Sequence, residues 1–184
     1  MAEPMKNKLD VLSCYFLYFI AYSFIGWAYE VFLEVVVYQW GYSDRGVLFG
    51  PYCPVYGVGA MAFLLCIRPF MKKGRSLRFQ IIQLIMVFFG CMILATGIEL
   101  CASYLLEAAI GSWPWQTYAD YAINFQARIA LSPSIRFGLG GLLFLYIIQP
   151  VLERLTDMIP FEKRKYIFYI LLALFVLDCV ATIL

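Results

Sequence analysis

The chain has 184 residues, of which 64% are hydrophobic and 14% charged, with a mean hydropathy of +0.80. Soluble domains carry about 25% charged residues, so this composition excludes an ordinary water-soluble domain and selects a protein that crosses a bilayer several times. A formal charge of +2 gives no basis for nucleic-acid binding, and the absence of histidine removes the commonest general base, neutral-pH switch and metal ligand, so no metal site or cofactor is expected.

Lys6 and Lys8 precede an apolar run, as in a signal peptide. The run from Val11 to Tyr38 is too long for one and lacks a small-residue cleavage site, so it reads as an uncleaved first membrane helix, long enough to tilt. Ser23, Trp27, Glu30 and Glu34 recur on it at helical spacing and share one face. Gly26, one turn before Glu30, permits close approach of another helix. Glu30 lies about 28 Å along the helix from Val11, near the far interface.

Ser43 to Ala60 follows, with adjacent Asp44 and Arg45, four glycines and two prolines. Between the glycines stand Phe49, Tyr52, Val55 and Tyr56, which favour burial, so the stretch predicts irregular backbone pressed against protein or lipid. It enters a second span, Gly50 to Phe70, whose first turn tolerates Pro51 and Pro54. The third span is Phe79 to Leu106. Thr96, Glu99, Ser103 and Glu107 share a face there, and Glu99 lies about 30 Å beyond Phe79, at the level predicted for Glu30.

Gly111 to Pro133 carries Trp113, Trp115, Tyr118, Tyr121 and Phe125. These rings predict either an aromatic belt at the headgroups or a partly re-entrant cap over the polar residues, packed on protein wherever it dips below the interface. The fourth span, Ser134 to Val151, is the shortest and holds Gly138, Gly140 and Gly141, with Ser132 and Ser134 read as caps around Pro133. The fifth runs from Lys165 to Leu184. Its Asp178, about 20 Å in, joins the polar set or is protonated or paired locally. The expected fold is an all-α integral membrane protein, one transmembrane domain over residues 1–184, with five helices, an aromatic outer loop and a Gly/Pro-rich segment entering the second helix.

Arg68, Lys72, Lys73, Arg75 and Arg78 follow the second span, Arg154, Lys163, Arg164 and Lys165 follow the fourth, and Lys6 and Lys8 precede the first; these are eleven of the fourteen basic residues. Five crossings put all three groups on one side, which the positive-inside rule makes cytoplasmic. The N-terminus is then cytoplasmic and the C-terminus extracytoplasmic. The other three, Arg45, Arg128 and Arg136, fall in the outer half with Glu30, Glu34, Asp44, Glu99, Glu107 and Asp120. Intramembrane charges pair or face a wet cavity, so the Glu30 and Glu99 faces are expected to meet these arginines in an outward-opening pocket. Six carboxylates against three arginines favour a cation or proton over an anion. The plainer reading is ion pairs that only fix helix packing. No cysteine pair has CxxC spacing, which argues against zinc or redox chemistry, although a Cys53–Cys101 disulfide near the outer face is allowed.

Tyr22-Ser-Phe-Ile-Gly-Trp-Ala-Tyr-Glu30, Asp44-Arg-Gly-Val-Leu-Phe-Gly-Pro-Tyr-Cys-Pro-Val-Tyr-Gly-Val-Gly59, Glu99 with Glu107, and Asn124-Phe-Gln-Ala-Arg-Ile-Ala-Leu131 together resemble the CmpB-like ABC-transporter type IV family of small bacterial membrane proteins. The resemblance covers about Ser13 to Gly141. This chain has Tyr118-Ala-Asp-Tyr121 where the family pattern has Trp-Asp-Tyr, Ala127 where it has Gly, and Arg136-Phe137 where a Trp is expected before Gly138. The resemblance implies a permease-like component of the bacterial cytoplasmic membrane working with a separate ATPase subunit, and marks Glu30, Arg45, Glu99, Glu107 and Arg128 as motif residues. Asp44, Tyr56, Asp120, Asn124 and Arg136 are expected to support them.

Three readings follow. A transport component would need an ATPase partner or a homo-oligomer, since five helices enclose little pathway, and Gly57, Gly59, Gly138, Gly140 and Gly141 offer close helix contacts. An enzyme acting on a lipid or lipid-linked substrate at the outer leaflet would use arginines for phosphate and a glutamate as base. A scaffold or regulator would keep the ion pairs for structure. No phosphate-loop or nucleophile-elbow motif is present, so ATP hydrolysis is not expected of this chain.

Overall fold

The computed structural model describes residues 8–42, 48–72 and 76–183. Asp44 and Arg45 lie outside the described residues. The helices are α1 (Lys8–Phe32), α2 (Pro54–Cys66), α3 (Leu77–Ile110), α4 (Leu131–Leu143), α5 (Gln149–Asp157) and α6 (Phe161–Ile183). A two-residue hairpin, β1 (Asn124–Phe125) and β2 (Ile129–Ala130), precedes α4. Among the described residues, four helical stretches are long and apolar enough to cross a bilayer: Lys8–Val37, Leu77–Ile110, Leu131–Asp157 and Phe161–Thr182. The chain is therefore a mainly helical, multi-pass membrane protein.

Two boundaries differ from expectation. The shortest apolar helix is the second, Pro54–Phe70, rather than the fourth. Pro54 occupies the first helical position, where a missing N–H costs nothing, and the residues before it are held by other bonds instead of a helix. The fourth stretch extends to Asp157 because a wide π turn, Phe144–Ile148, comes just before Pro150. The Gln149 amide reaches back to the Phe144 carbonyl, and this register frees the carbonyl that the Pro150 ring would strike in a regular helix. Ser134 is not a cap either. Ala130 occupies the cap position, and the Ser134 hydroxyl donates back to its carbonyl at 2.9 Å. The helix α3 runs four residues past Leu106 and stops at Gly111, whose φ of +79° lets its amide bond the Glu107 carbonyl at 2.9 Å.

The chain forms two compact units, residues 1–61 with 151–184, and residues 62–150. In the first, α1 packs on α6 through ring contacts of Phe16 with Phe168 and Phe175, and of Phe19 with Phe175. Small residues bring α2 against α1, as expected for Gly26 and Gly57: a Cβ at Gly26 would enter the Tyr56 ring, and one at Gly57 would meet Ser23 and Phe19. At one end Arg164 pairs with Asp10 and donates to the Thr156 carbonyl at 2.9 Å, tying α1, α5 and α6 together. At the other end of α6, the Asp178 carboxylate accepts from the amides of Phe49 (3.0 Å) and Gly50 (2.9 Å) and from the Tyr52 hydroxyl. Asp178 thus has local partners, and it fixes the irregular stretch that precedes α2.

In the second unit α3 and α4 run antiparallel. Gly138 faces Phe88 and Gly141 faces Cys91, with no room for a Cβ at either, whereas Gly140 faces open space. Thr96 donates to Ser134 at 2.8 Å between the two helices. None of the six cysteines forms a disulfide.

Candidate functional site

The polar face predicted on α3 exists, and each of its four members meets a partner from the segment that follows the helix. Thr96 bonds Ser134. Glu99 Oε1 accepts from the Tyr118 hydroxyl at 2.8 Å. Ser103 accepts from Arg128 in a long bond of 3.4 Å, and Glu107 forms an ion pair with the same guanidinium. A 3.6-residue period stacks these side chains along one side of α3, so α4 meets the first of them and one covering segment reaches the other three.

That covering segment is residues 111–130, and it is a cap. Its centre is Arg128, only 6% exposed. The guanidinium lies between two rings, 4.1 Å from the centroid of Tyr104 and 4.0 Å from that of Trp113. The hairpin aims it there. Gln126 and Ala127 both adopt the left-handed region, with φ of 52° and 55°, and the Arg128 amide closes the turn on the Phe125 carbonyl at 2.9 Å. Positive φ at both central residues turns the chain sharply, Phe125 pairs with Ile129 across residues 126–128, and Arg128 leaves the turn directed back at α3. Trp113 Nε1 donates to the Ala127 carbonyl (3.0 Å) and Trp115 Nε1 to the Arg128 carbonyl (2.8 Å). Asn124 braces the turn from inside, donating to the Tyr121 carbonyl at 2.8 Å and accepting from the Ala127 amide at 3.1 Å.

Electrostatics separate the two glutamates. Glu107 is 45% exposed at the side chain, so water and Arg128 share its charge. Glu99 is more enclosed: Oε2 is buried and has no hydrogen-bond partner among the described residues. Burial and the adjacent Glu99 carboxylate push the Tyr118 hydroxyl well above the ordinary tyrosine range, while Arg136 acts weakly the other way. Tyr118 is therefore a neutral donor to Glu99. Arg136 is exposed beside this pair and forms no ion pair among the described residues.

In the other unit Glu30 Oε1 accepts from the Tyr56 hydroxyl, and Glu34 is buried in a π turn, Leu33–Val37, at the end of α1. The partners that the described residues give Glu30 and Glu99 are thus tyrosines, where sequence reasoning nominated arginines. Asp120 is exposed. Tyr104 was not assigned to this site from the sequence, and Trp113 and Tyr118 entered it only under the cap reading, beside an aromatic belt. Tyr104, one turn before Glu107, carried a signal in its spacing; the two loop aromatics read equally well as interface anchors. The Asp10–Arg164 pair was missed because Arg164 counts as one of several loop cations.

The deciding comparison covers nearly the whole chain: residues 17–183 match a family described as "Putative ABC-transporter type IV". The chain belongs to this family. No significant match is found among curated proteins or solved structures. The family and the apolar helices together make this a transport-associated membrane protein. The matched region of this ABC-transporter type IV chain contains α3, the whole cap and Asp178, and leaves out Asp10. Ala127, where the sequence resemblance expects glycine, sits at φ 55°, a conformation in which glycine carries no steric cost.

Proposed function

We propose that this chain is a permease-like subunit of the bacterial cytoplasmic membrane, with five crossings, the N-terminus cytoplasmic and the C-terminus extracytoplasmic. Clustering of the basic residues supports this orientation, with Pro54–Phe70 as a short second crossing. The cargo is a cation or a proton, and its site includes Glu99 under the aromatic cap. One observation supports this assignment: a buried carboxylate oxygen, Glu99 Oε2, on an apolar helix, with no hydrogen-bond partner among the described residues. Arg128, covered on both faces and paired with Glu107, holds the cap, with Asn124 bracing it. Glu30 with Tyr56 forms a second polar position in the other unit, and Asp120 and Arg136 line the outer surface of the first; Asp44 and Arg45, which lie outside the described residues, join the proposal on their sequence motif alone. Partners are membrane lipid and a separate ATPase subunit or a second copy.

The test is proton flux into vesicles containing the purified protein, read by an enclosed pH dye, for wild type and Glu99→Gln. The amide keeps an acceptor for Tyr118 but cannot exchange a proton, so flux should fall to the protein-free rate. Equal flux from a folded Glu99→Gln protein would end the proton reading. Copurification of an ATPase tests the partner. The scaffold reading keeps one specific support, the burial of Arg128 between two rings, and it predicts a loosened cap without any change in flux for the glutamine variant.

A further inference from the structure

A groove of about 360 Å3 opens beside the cap in the second unit, between α3 (Met92, Ile93, Thr96), the hairpin (Phe125, Ile129) and the start of α4 (Leu131). That volume falls within the about 300–1,000 Å3 of ligand clefts. No charged side chain lines it. Its two hydroxyls are spent on each other and on the backbone, since Thr96 donates to Ser134 and Ser134 donates to the Ala130 carbonyl. The Asn124 amide group at the rim is committed to the turn. The side-chain donors that line the groove are therefore engaged within the protein.

The hairpin is finished in the same way. The carbonyls of Ile123, Phe125, Ala127, Arg128 and Ala130 accept from the Leu131 amide, the Arg128 amide, Trp113, Trp115 and Ser134 respectively. Non-helical backbone at membrane depth is tolerated only when its polar groups are satisfied internally, and here two backbone amides and three side chains supply the donors. The groove floor lies about 23–29 Å along α3 from Leu77, inside a bilayer-crossing helix, and its rim residues Ile93, Phe125 and Leu131 are exposed. In the proposed orientation this level lies toward the outer end of the bilayer-crossing stretch, where lipid acyl chains reach it.

We propose that this groove seats one acyl chain of a bilayer phospholipid, held against the cap. The groove matches the chain in polarity and depth, and the proposal stands whether or not Glu99 carries cargo. A seated chain would buttress the hairpin through Phe125 and Ile129, so membrane composition would bear on the stability of the cap.

The experiment uses the full chain in phosphatidylcholine vesicles doped with a phospholipid carrying a diazirine in mid-chain, with adducts mapped by mass spectrometry after irradiation. Labelling at Ile93, Phe125 and Ile129 should exceed that at Ile85 and Phe89, outward residues of the same helix, by about fivefold (about 1 kcal/mol). Ile93→Trp, at an exposed position that accepts a larger ring, should fill the groove and erase the excess; Leu131→Trp should do the same from the opposite wall. Uniform labelling along α3 would overturn the proposal by showing only bulk lipid. Labelling of the groove by a water-soluble carbene probe would overturn it as well, as would cross-linked dimers formed through Ile93, which would assign the groove to a second copy.

Discussion

Replacing Arg128 with lysine keeps the charge and removes the planar group that fills the space between Tyr104 and Trp113. Each ring contact is worth about 0.5–1 kcal/mol at a partly exposed site and more when desolvated, so losing two costs about 1–2 kcal/mol. The ion pair adds little, because Glu107 is nearly half exposed and a screened pair of this kind is worth at most about 1 kcal/mol. Lysine and alanine at this position should therefore do almost the same damage, loosening the cap by about 1–3 kcal/mol. Hydrogen exchange reads this directly: amides of residues 125–130 should exchange about 10–100 times faster in Arg128→Lys, while amides in the middle of α6 keep their wild-type rates. Trp113 emission should shift to the red as its ring loses its cover. The reasoning fails if Arg128→Lys exchanges like wild type and only Arg128→Ala opens the hairpin, because charge rather than stacking would then hold it.

Two further substitutions probe the backbone. Gly141→Ala drives a methyl into Cys91 and should cost about 1–3 kcal/mol of α3–α4 packing, whereas Gly140→Ala, facing open space, should be neutral or slightly stabilising; thermal melts of the two proteins in one detergent separate them. Ala127→Gly relieves a left-handed alanine and should slow exchange at the Arg128 amide by up to about tenfold, consistent with about 1 kcal/mol for that conformation; faster exchange would show that chain entropy outweighs the strain.

Much of the site was legible because it lies on one helix. Four polar residues at a 3.6-residue period must share a side, and hydrocarbon forbids leaving that side bare, so Thr96, Glu99, Ser103 and Glu107 could be grouped before any coordinates. The packing roles of Gly26, Gly57, Gly138 and Gly141 followed from the same logic, though Gly59 and Gly140 look identical in sequence and face open space. The hairpin was not legible. Its turn rests on Gln126 and Ala127, two residues that rarely accept positive φ, and the usual glycine signal is missing.

By itself, the sequence determined that this chain lives in a membrane, where its long apolar runs sit, and which face of α3 is polar. Those properties depend on composition and on spacing within single segments. The partners of that polar face come from residues 19 to 38 positions away, and only the tertiary structure decided them. A charged or hydroxyl group takes whichever donor the fold delivers, so Glu99 received a tyrosine, Arg128 received two rings and one carboxylate, and Asp178 received the amides of Phe49 and Gly50.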